Sequence, residues 1–246
     1  MIVYRSSLLD THETSRLIFY KFVSRNIGLQ LTENTEYIIY RAKLAVYETN
    51  RLKVSTKNIK RFLVFIEDKD FHNHAGISYK SIARSILGVL GIKSRSGGST
   101  IVQQLTRTLF ITDLRKTKRR KFIELALAPW MTNVFSKDLI LDIYISSVRY
   151  ERQRFGIVEA MDHFWGEIVS SPTNAQAFFL IERVSNIRSK LLVNKIIETV
   201  RHAKDKGLLS TDDIKSLVDL YIEAVENGKI TADQSELLEL SRGVHA

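Results

Sequence analysis

Three stretches of the chain carry residue types that could do chemistry. The first is Ile66-Glu67-Asp68-Lys69-Asp70-Phe71-His72-Asn73-His74-Ala75-Gly76. It crowds titratable side chains directly behind an apolar run. A carboxylate at the border of a core and a polar cleft can take or give a proton, because desolvation tunes it for that work. The bland alternative is an exposed helix end with His72 and His74 in water. No H-x-x-x-H or H-E-x-x-H spacing is present, so His72, His74 and Asp70 do not read as a metal site.

The second stretch is Gly97-Gly98-Ser99-Thr100-Ile101-Val102-Gln103-Gln104-Leu105-Thr106-Arg107. Glycines followed by hydroxyl residues at a helix start leave backbone N–H groups free for an anion, with Arg107 further along. The plain alternative is a loop with an N-cap. Gln103 and Gln104 flank an apolar stripe, so one of them must face the core or a cleft. The third stretch, Arg115 to Lys121, is basic at six of seven positions. It suits either a solvated helix face or a phosphate-bearing partner. Glu124 lies four residues after Arg120, so the two share a helix face and can pair.

The elements that must position these residues read as helices. Apolar residues recur at mixed three- and four-residue steps over Thr11–Val23, Asn34–Tyr47 and Asn58–Phe71. In the last of these, Ile59, Phe62, Leu63, Phe65 and Ile66 share one broad face. Gly88 to Gly98 is a loop by composition. Thr100–Phe110 resumes the helical period, and Lys116–Ala128 is a basic helix expected to stop at Pro129. Ser136 is the expected N-cap of Lys137–Ser146, with Asp138 suited to the helix dipole. Ser171-Pro172 is expected to open a helix to about Val184. In the tail, Gly207-Leu-Leu-Ser210 and Gly228-Lys-Ile-Thr231 each read as a helix stop followed by a hydroxyl N-cap, with Thr231 and Gln234 as a capping box.

The bulk composition narrows the classes further. The chain has 246 residues and a formal charge of +10, with no cysteine. Disulfides, thiolate catalysis and Cys-ligated metals are excluded. The basic surplus suits an anionic partner: nucleic acid, a membrane surface or a phosphate-bearing substrate. Only two prolines and eleven glycines argue against an all-β sandwich with its many turns. No signal peptide is read at the start, and the longest nearly uncharged apolar stretch, Ile86 to Ile92 with Ile82 just before it, is too short to span a bilayer.

The order of the motifs says more than any one of them. Glu-Asp-x-x-Phe-x-x-His-x-Gly from Glu67 is followed by Gly-Gly-Ser-Thr-Ile-x-Gln-Gln-Leu from Gly97. Arg120-Lys-x-x-Glu124 comes next, then Lys137-Asp-x-Ile-Leu-Asp-x-Tyr144. This series resembles the peptidoglycan glycosyltransferases (glycosyltransferase family 51), the polymerase module of penicillin-binding proteins and monofunctional transglycosylases. The resemblance runs from about Arg61 to Gly166 and more loosely to about Ile214. It implies a mainly α, lysozyme-like fold with a head and a membrane-apposed jaw. The segments expected are an N-terminal helical part (1–60), a glycosyltransferase core (61–189) and a helical C-terminal extension (190–246).

By the same resemblance the reaction is polymerisation of lipid II into glycan strands, with inversion and release of undecaprenyl pyrophosphate. Glu67 and Glu124 are the implied catalytic residues, Glu67 as general base. Asp68, Phe71, His74, Ser99, Thr100, Gln103, Gln104, Arg107, Arg120 and Lys121 are the implied substrate-binding set. Ile86, Leu87 and Leu90 are the implied membrane contacts. A divalent cation, Mg2+ or Mn2+, on the substrate pyrophosphate is implied, with no organic cofactor. The implied partners are lipid II, nascent glycan, an anionic membrane surface and other cell-wall synthesis proteins, and not nucleic acid. Location is expected to be peripheral to the bacterial cytoplasmic membrane, on a side the sequence leaves open. An alternative is a catalytically reduced relative that binds lipid II or a polymerase partner as a regulator. A lysozyme-like hydrolase and a basic nucleic-acid binder are more distant alternatives. The chain departs from the family pattern at Ser78, Thr108, Asp142, Ser146 and Arg149–Arg154, and in the helix Gln176–Ile181.

Overall fold

The computed structural model describes residues 35–79, 99–111, 117–185 and 190–245. Among them the helices are α1 (Thr35–Arg51), α2 (Lys57–Glu67), α3 (Ile101–Phe110), α4 (Thr117–Val134), α5 (Lys137–Ser147), α6 (Gly156–Trp165), α7 (Asn174–Ser185), α8 (Val193–Asp205), α9 (Thr211–Glu226) and α10 (Gln234–His245). A 3-10 turn covers Phe71–Asn73, and an antiparallel hairpin pairs β1 (Arg149–Glu151) with β2 (Arg154–Phe155). The fold is mainly helical, as the hydrophobic periods require. The expected helix at Thr11–Val23, the loop at Gly88–Gly98 and the apolar segment carrying Ile86, Leu87 and Leu90 lie outside the described residues.

The chain forms two compact units whose segments alternate along the sequence. The first takes residues up to 44 and 67–144; the second takes 45–66 and everything from 145 onward. In the first unit α3 packs on α4. Ile101, Val102 and Leu105 of α3 and Ile123, Leu127 and Met131 of α4 are all fully buried, and Phe110 sets its ring edge-on to Trp130 at 5.9 Å. Gly76 has φ +84°, and a Cβ there would sit 2.4 Å from the Ala128 carbonyl oxygen, so the backbone approach admits only glycine. In the second unit α7 packs on α9 and α8 on α10. Phe62 meets Phe178 edge-on at 5.8 Å, and Phe179 meets Phe164 and Tyr221, each at 5.0 Å. Gly156 (φ +77°) closes the hairpin onto the Ser146 carbonyl.

Helix ends follow the expected chemistry with three corrections. Pro129 does not stop its helix: α4 runs on to Val134 with the proline inside. The lost backbone hydrogen bond is outweighed by the burial of Leu127, Ala128, Trp130 and Met131 on either side. Helix α7 begins at Asn174, not at Pro172. Its cap is Thr173, whose hydroxyl accepts from the Gln176 N–H at 3.2 Å while the Gln176 side chain accepts from the Thr173 N–H. Likewise the cap of α10 is Asp233 with Glu236, not Thr231 with Gln234. Thr231 instead forms a bridge with Lys190. Ser210 with Asp213 opens α9 as a capping box, and Ser136 accepts from the Leu139 N–H before α5.

Candidate active site

Helix α2 ends at Glu67, where its apolar face, with Ile59, Phe62 and Leu63 buried, gives way to the charged run Glu67-Asp68-Lys69-Asp70. Glu67 is half-buried, and its Oε2 accepts from Gln104 Nε2 at 2.8 Å. Gln104 Oε1 in turn accepts from the Tyr144 hydroxyl at 2.7 Å. Glutamine, glutamate and tyrosine thus form a hydrogen-bonded row from α5 through α3 to the end of α2.

Asp68 points the other way. It is buried, and its carboxylate accepts from the Ile101 N–H at 3.1 Å, at the very start of α3. A carboxylate there meets an unsatisfied amide and the positive end of the helix dipole. His74 Nε2 lies 3.0 and 3.2 Å from the two Asp68 oxygens. Facing an acceptor-only group, Nε2 carries the proton. The exposed-end alternative therefore holds for His72 and fails for His74, whose side chain is buried. Phe71 is fully buried, and Lys137 lies over its ring at 4.4 Å while donating to the carbonyls of Phe71 and His74. Burial lowers the Lys137 ammonium below the usual lysine range, and the nearby Asp68 charge opposes that shift.

The two glutamines divide the labour. Gln103 is the buried one: Thr100 Oγ1 accepts from its N–H, and its Oε1 accepts from the Thr100 N–H, both at 3.2 Å. Thr100 also donates to the Gly76 carbonyl at 2.7 Å. Thr100 and Gln103 are therefore scaffolding for the start of α3, with Gln103 Oε1 also accepting from Lys121 Nζ at 3.4 Å, while Gln104 is the one that reaches a carboxylate.

Glu124 builds a second centre. It lies in α4 with a fully buried side chain. Lys121 Nζ is 3.0 Å from its Oε2, and Arg120 Nε is 3.2 Å from its Oε1. An Arg107 terminal nitrogen stands 3.8 Å from Oε1. Lys121 also donates to Ser99 Oγ at 2.6 Å. The cations keep solvent access, with Lys121 39% and Arg107 33% exposed. One buried carboxylate thus holds three basic side chains that open to water, an excess of two positive charges suited to an anionic group. Gln104 and Arg107 are three residues apart on α3, so this one helix carries a contact to each glutamate.

Sequence reasoning gave a site role to every member of these two groups except Tyr144 and Lys137. Both stand within the fourth motif, so spacing alone could have flagged them. It also missed a network in the second unit. Arg183, fully buried, donates to Glu182 Oε2 at 3.2 Å and to Glu151 Oε2 at 3.5 Å, and the Tyr221 hydroxyl donates to Glu182 at 3.1 Å. A charged pair inside the apolar run Ala177–Val184 was the available signal.

A helical fold that presents one carboxylate apart from a second, cation-saturated one has the parts for glycosyl transfer from a phosphate leaving group. Comparison with known proteins agrees. The pattern of the transglycosylase family matches residues 42–209, and the chain belongs to that family. It is 32% identical to a biosynthetic peptidoglycan transglycosylase of Neisseria meningitidis, over 66% of this chain and 72% of that one. It is 34% identical to a biosynthetic peptidoglycan transglycosylase of Nitrosomonas eutropha, over 54% of each chain. To penicillin-binding protein 1A of Rickettsia bellii it is 28% identical, over 72% of this chain and 24% of that one. The chain spans about half or less of the length of the last two relatives.

Proposed function

We propose that the chain is a peptidoglycan glycosyltransferase that polymerises lipid II. The observation that carries this reading is the separation of roles between two glutamates. Glu67 is partly exposed and touched by a neutral amide, so it can accept a proton. Glu124 is buried under three cations, so its work is to hold them in place. The 4-hydroxyl of the acceptor sugar loses its proton to Glu67 and its oxygen attacks the donor's anomeric carbon. The bond from that carbon to the phosphate oxygen breaks, and the electron pair leaves with undecaprenyl pyrophosphate. Arg107, Arg120 and Lys121 meet that developing charge. Asp68, His74, Phe71, Ser99, Thr100 and Gln103 hold the elements that carry these groups.

The acidic side chains in this region are committed to other partners: Glu124 to its cations, Asp68 to His74 and the start of α3. Among the described residues no group of three histidine, aspartate or glutamate side chains could hold a metal. The described residues offer no set fitted to a resident divalent cation, so in this reading Mg2+ or Mn2+ would come on the substrate's own phosphates. Among the described residues no helix is long and apolar enough to cross a membrane. We place the chain at the surface of an anionic membrane through its basic surplus, alongside other cell-wall synthesis proteins.

Incubation of the full chain with lipid II in detergent, with glycan polymer read on a gel, tests the reading. Polymer is expected from the unaltered chain. Glu67→Gln should lose at least about 100-fold in rate, within the usual general-base contribution. Polymer at an unchanged rate in this variant would remove Glu67 from the mechanism.

A further inference from the structure

We propose that Tyr144 is a positioning residue for the Glu67 carboxylate, acting through the side-chain amide of Gln104; this rests on the reading of Glu67 as the base. The polarity of the row follows from donor and acceptor counts. An ionised carboxylate only accepts, so the Gln104 amide must turn its Nε2 toward Glu67, where it stands at 2.8 Å. That turns Oε1 the other way, toward a site that must supply a donor. The Tyr144 hydroxyl supplies it at 2.7 Å, from a side chain with no solvent exposure. Rotating the amide by half a turn would set its oxygen against the carboxylate, and the tyrosine donor resists that rotation.

Each member also comes from a rigid element. Gln104 rides on α3, whose start is pinned by Asp68 and by the Thr100–Gln103 box. Tyr144 rides on α5 beside the buried Ile140 and Leu141. The row therefore points Glu67 in one direction. When Glu67 takes the proton of the sugar hydroxyl, it no longer requires a donor opposite. The row is matched to the proton-free form that begins each turnover, and it contributes orientation without touching the substrate.

A double-mutant cycle on the full chain tests this. Tyr144→Phe should lower kcat about tenfold, the scale of one hydrogen bond. KM should stay within about twofold, as for an interaction that serves the transition state. Tyr144→Phe/Gln104→Ala should be no slower than Gln104→Ala, because the proposed effect of the tyrosine on Glu67 passes through the amide. Losses that multiply, or a full rate in Tyr144→Phe, would overturn the proposal. Gln104→Glu supplies an independent variant: an acceptor against Glu67 should be slower than alanine, and equal rates count against the row. A readout without turnover separates this from the function itself. In 15N NMR the Gln104 side-chain amide protons should exchange with solvent at least about tenfold faster in Tyr144→Phe, the scale of one lost hydrogen bond. Identical exchange overturns the relay. Failure of the unaltered chain to polymerise lipid II strikes the function, and a full rate in Glu67→Gln removes Glu67 as the base; in both cases the exchange comparison still decides the relay.

Discussion

Among the described residues each unit buries one charged side chain completely, and the two have opposite fates. In the first unit Glu124 is surrounded by Arg107, Arg120 and Lys121, three cations on one carboxylate, and the cations reach solvent. In the second, Arg183 is held by Glu151 and Glu182, and all three are buried. The same charge chemistry therefore serves two ends. A cluster whose excess charge faces water can meet a charged ligand, whereas one sealed on every side only joins the segments that supply it. Here Arg183 ties α7 to the hairpin through Glu151 and to α9 through Glu182 and Tyr221. Solvent access of the surplus charge, more than the number of charges, marks the candidate site.

The sharpest way to break this contrast is to cut each cluster and ask what is lost. Arg183→Leu strands two buried carboxylates, and its unfolding free energy should fall by about 3–5 kcal/mol. Denaturant unfolding reads that loss; a stability within error of the unaltered chain would show that the network is not structural. Arg107→Ala and Arg120→Ala should act on binding instead. Each should weaken a pyrophosphate-bearing substrate by about 1.5–3 kcal/mol, the scale of a charge-assisted hydrogen bond. Calorimetric titration checks this against the same glycan without pyrophosphate, whose binding should barely change. Equal losses on both ligands would move these arginines into the structural class with Arg183.

The smallest effect concerns pH. Burial raises the Glu182 carboxyl above the usual 4.5, against the pull of Arg183 and Lys195. A raised folded-state value means stability that is complete below 4.5 and is lost as pH rises through the folded value. Glu182→Gln keeps the hydrogen-bonding shape without that charge. The melting temperature of the variant relative to the unaltered chain should therefore climb as pH rises above that range. A flat difference across pH would mean that the glutamate is no worse off ionised in the fold than out of it.

Much of this was legible beforehand, for physical reasons. Helix periods, the Ser210 and Ser136 caps and the pairing of Arg120 with Glu124 are local, and local spacing is what a sequence displays. The competition between Gln103 and Gln104 was visible, but not its outcome, because only the capping geometry of Thr100 decides which glutamine turns inward. Pro129 misled because a local penalty was weighed without the burial around it. The Ser171-Pro172 start failed because Thr173 could close a box with Gln176 and Ser171 could not. The Arg183 network joins residues 32 to 39 positions apart, and separations of that kind leave no trace in a period. The apolar segment at Ile82–Ile92 and its membrane role stay a proposal, as do the head and jaw.

Most helices fray first at their ends, since the leading amides have no partner within the helix. Helix α3 is fastened at that point. The Ile101 N–H is taken by a buried carboxylate, and the Gln103 N–H by the Thr100 hydroxyl. Opening this end would take the Ile101 amide from the buried Asp68 carboxylate, so local fluctuation there carries the cost of an uncovered buried charge. In the language of hydrogen exchange, the Ile101 and Gln103 amides belong among the slowest in the chain, and α3 carries Gln104 and Arg107 as a bracket that does not breathe.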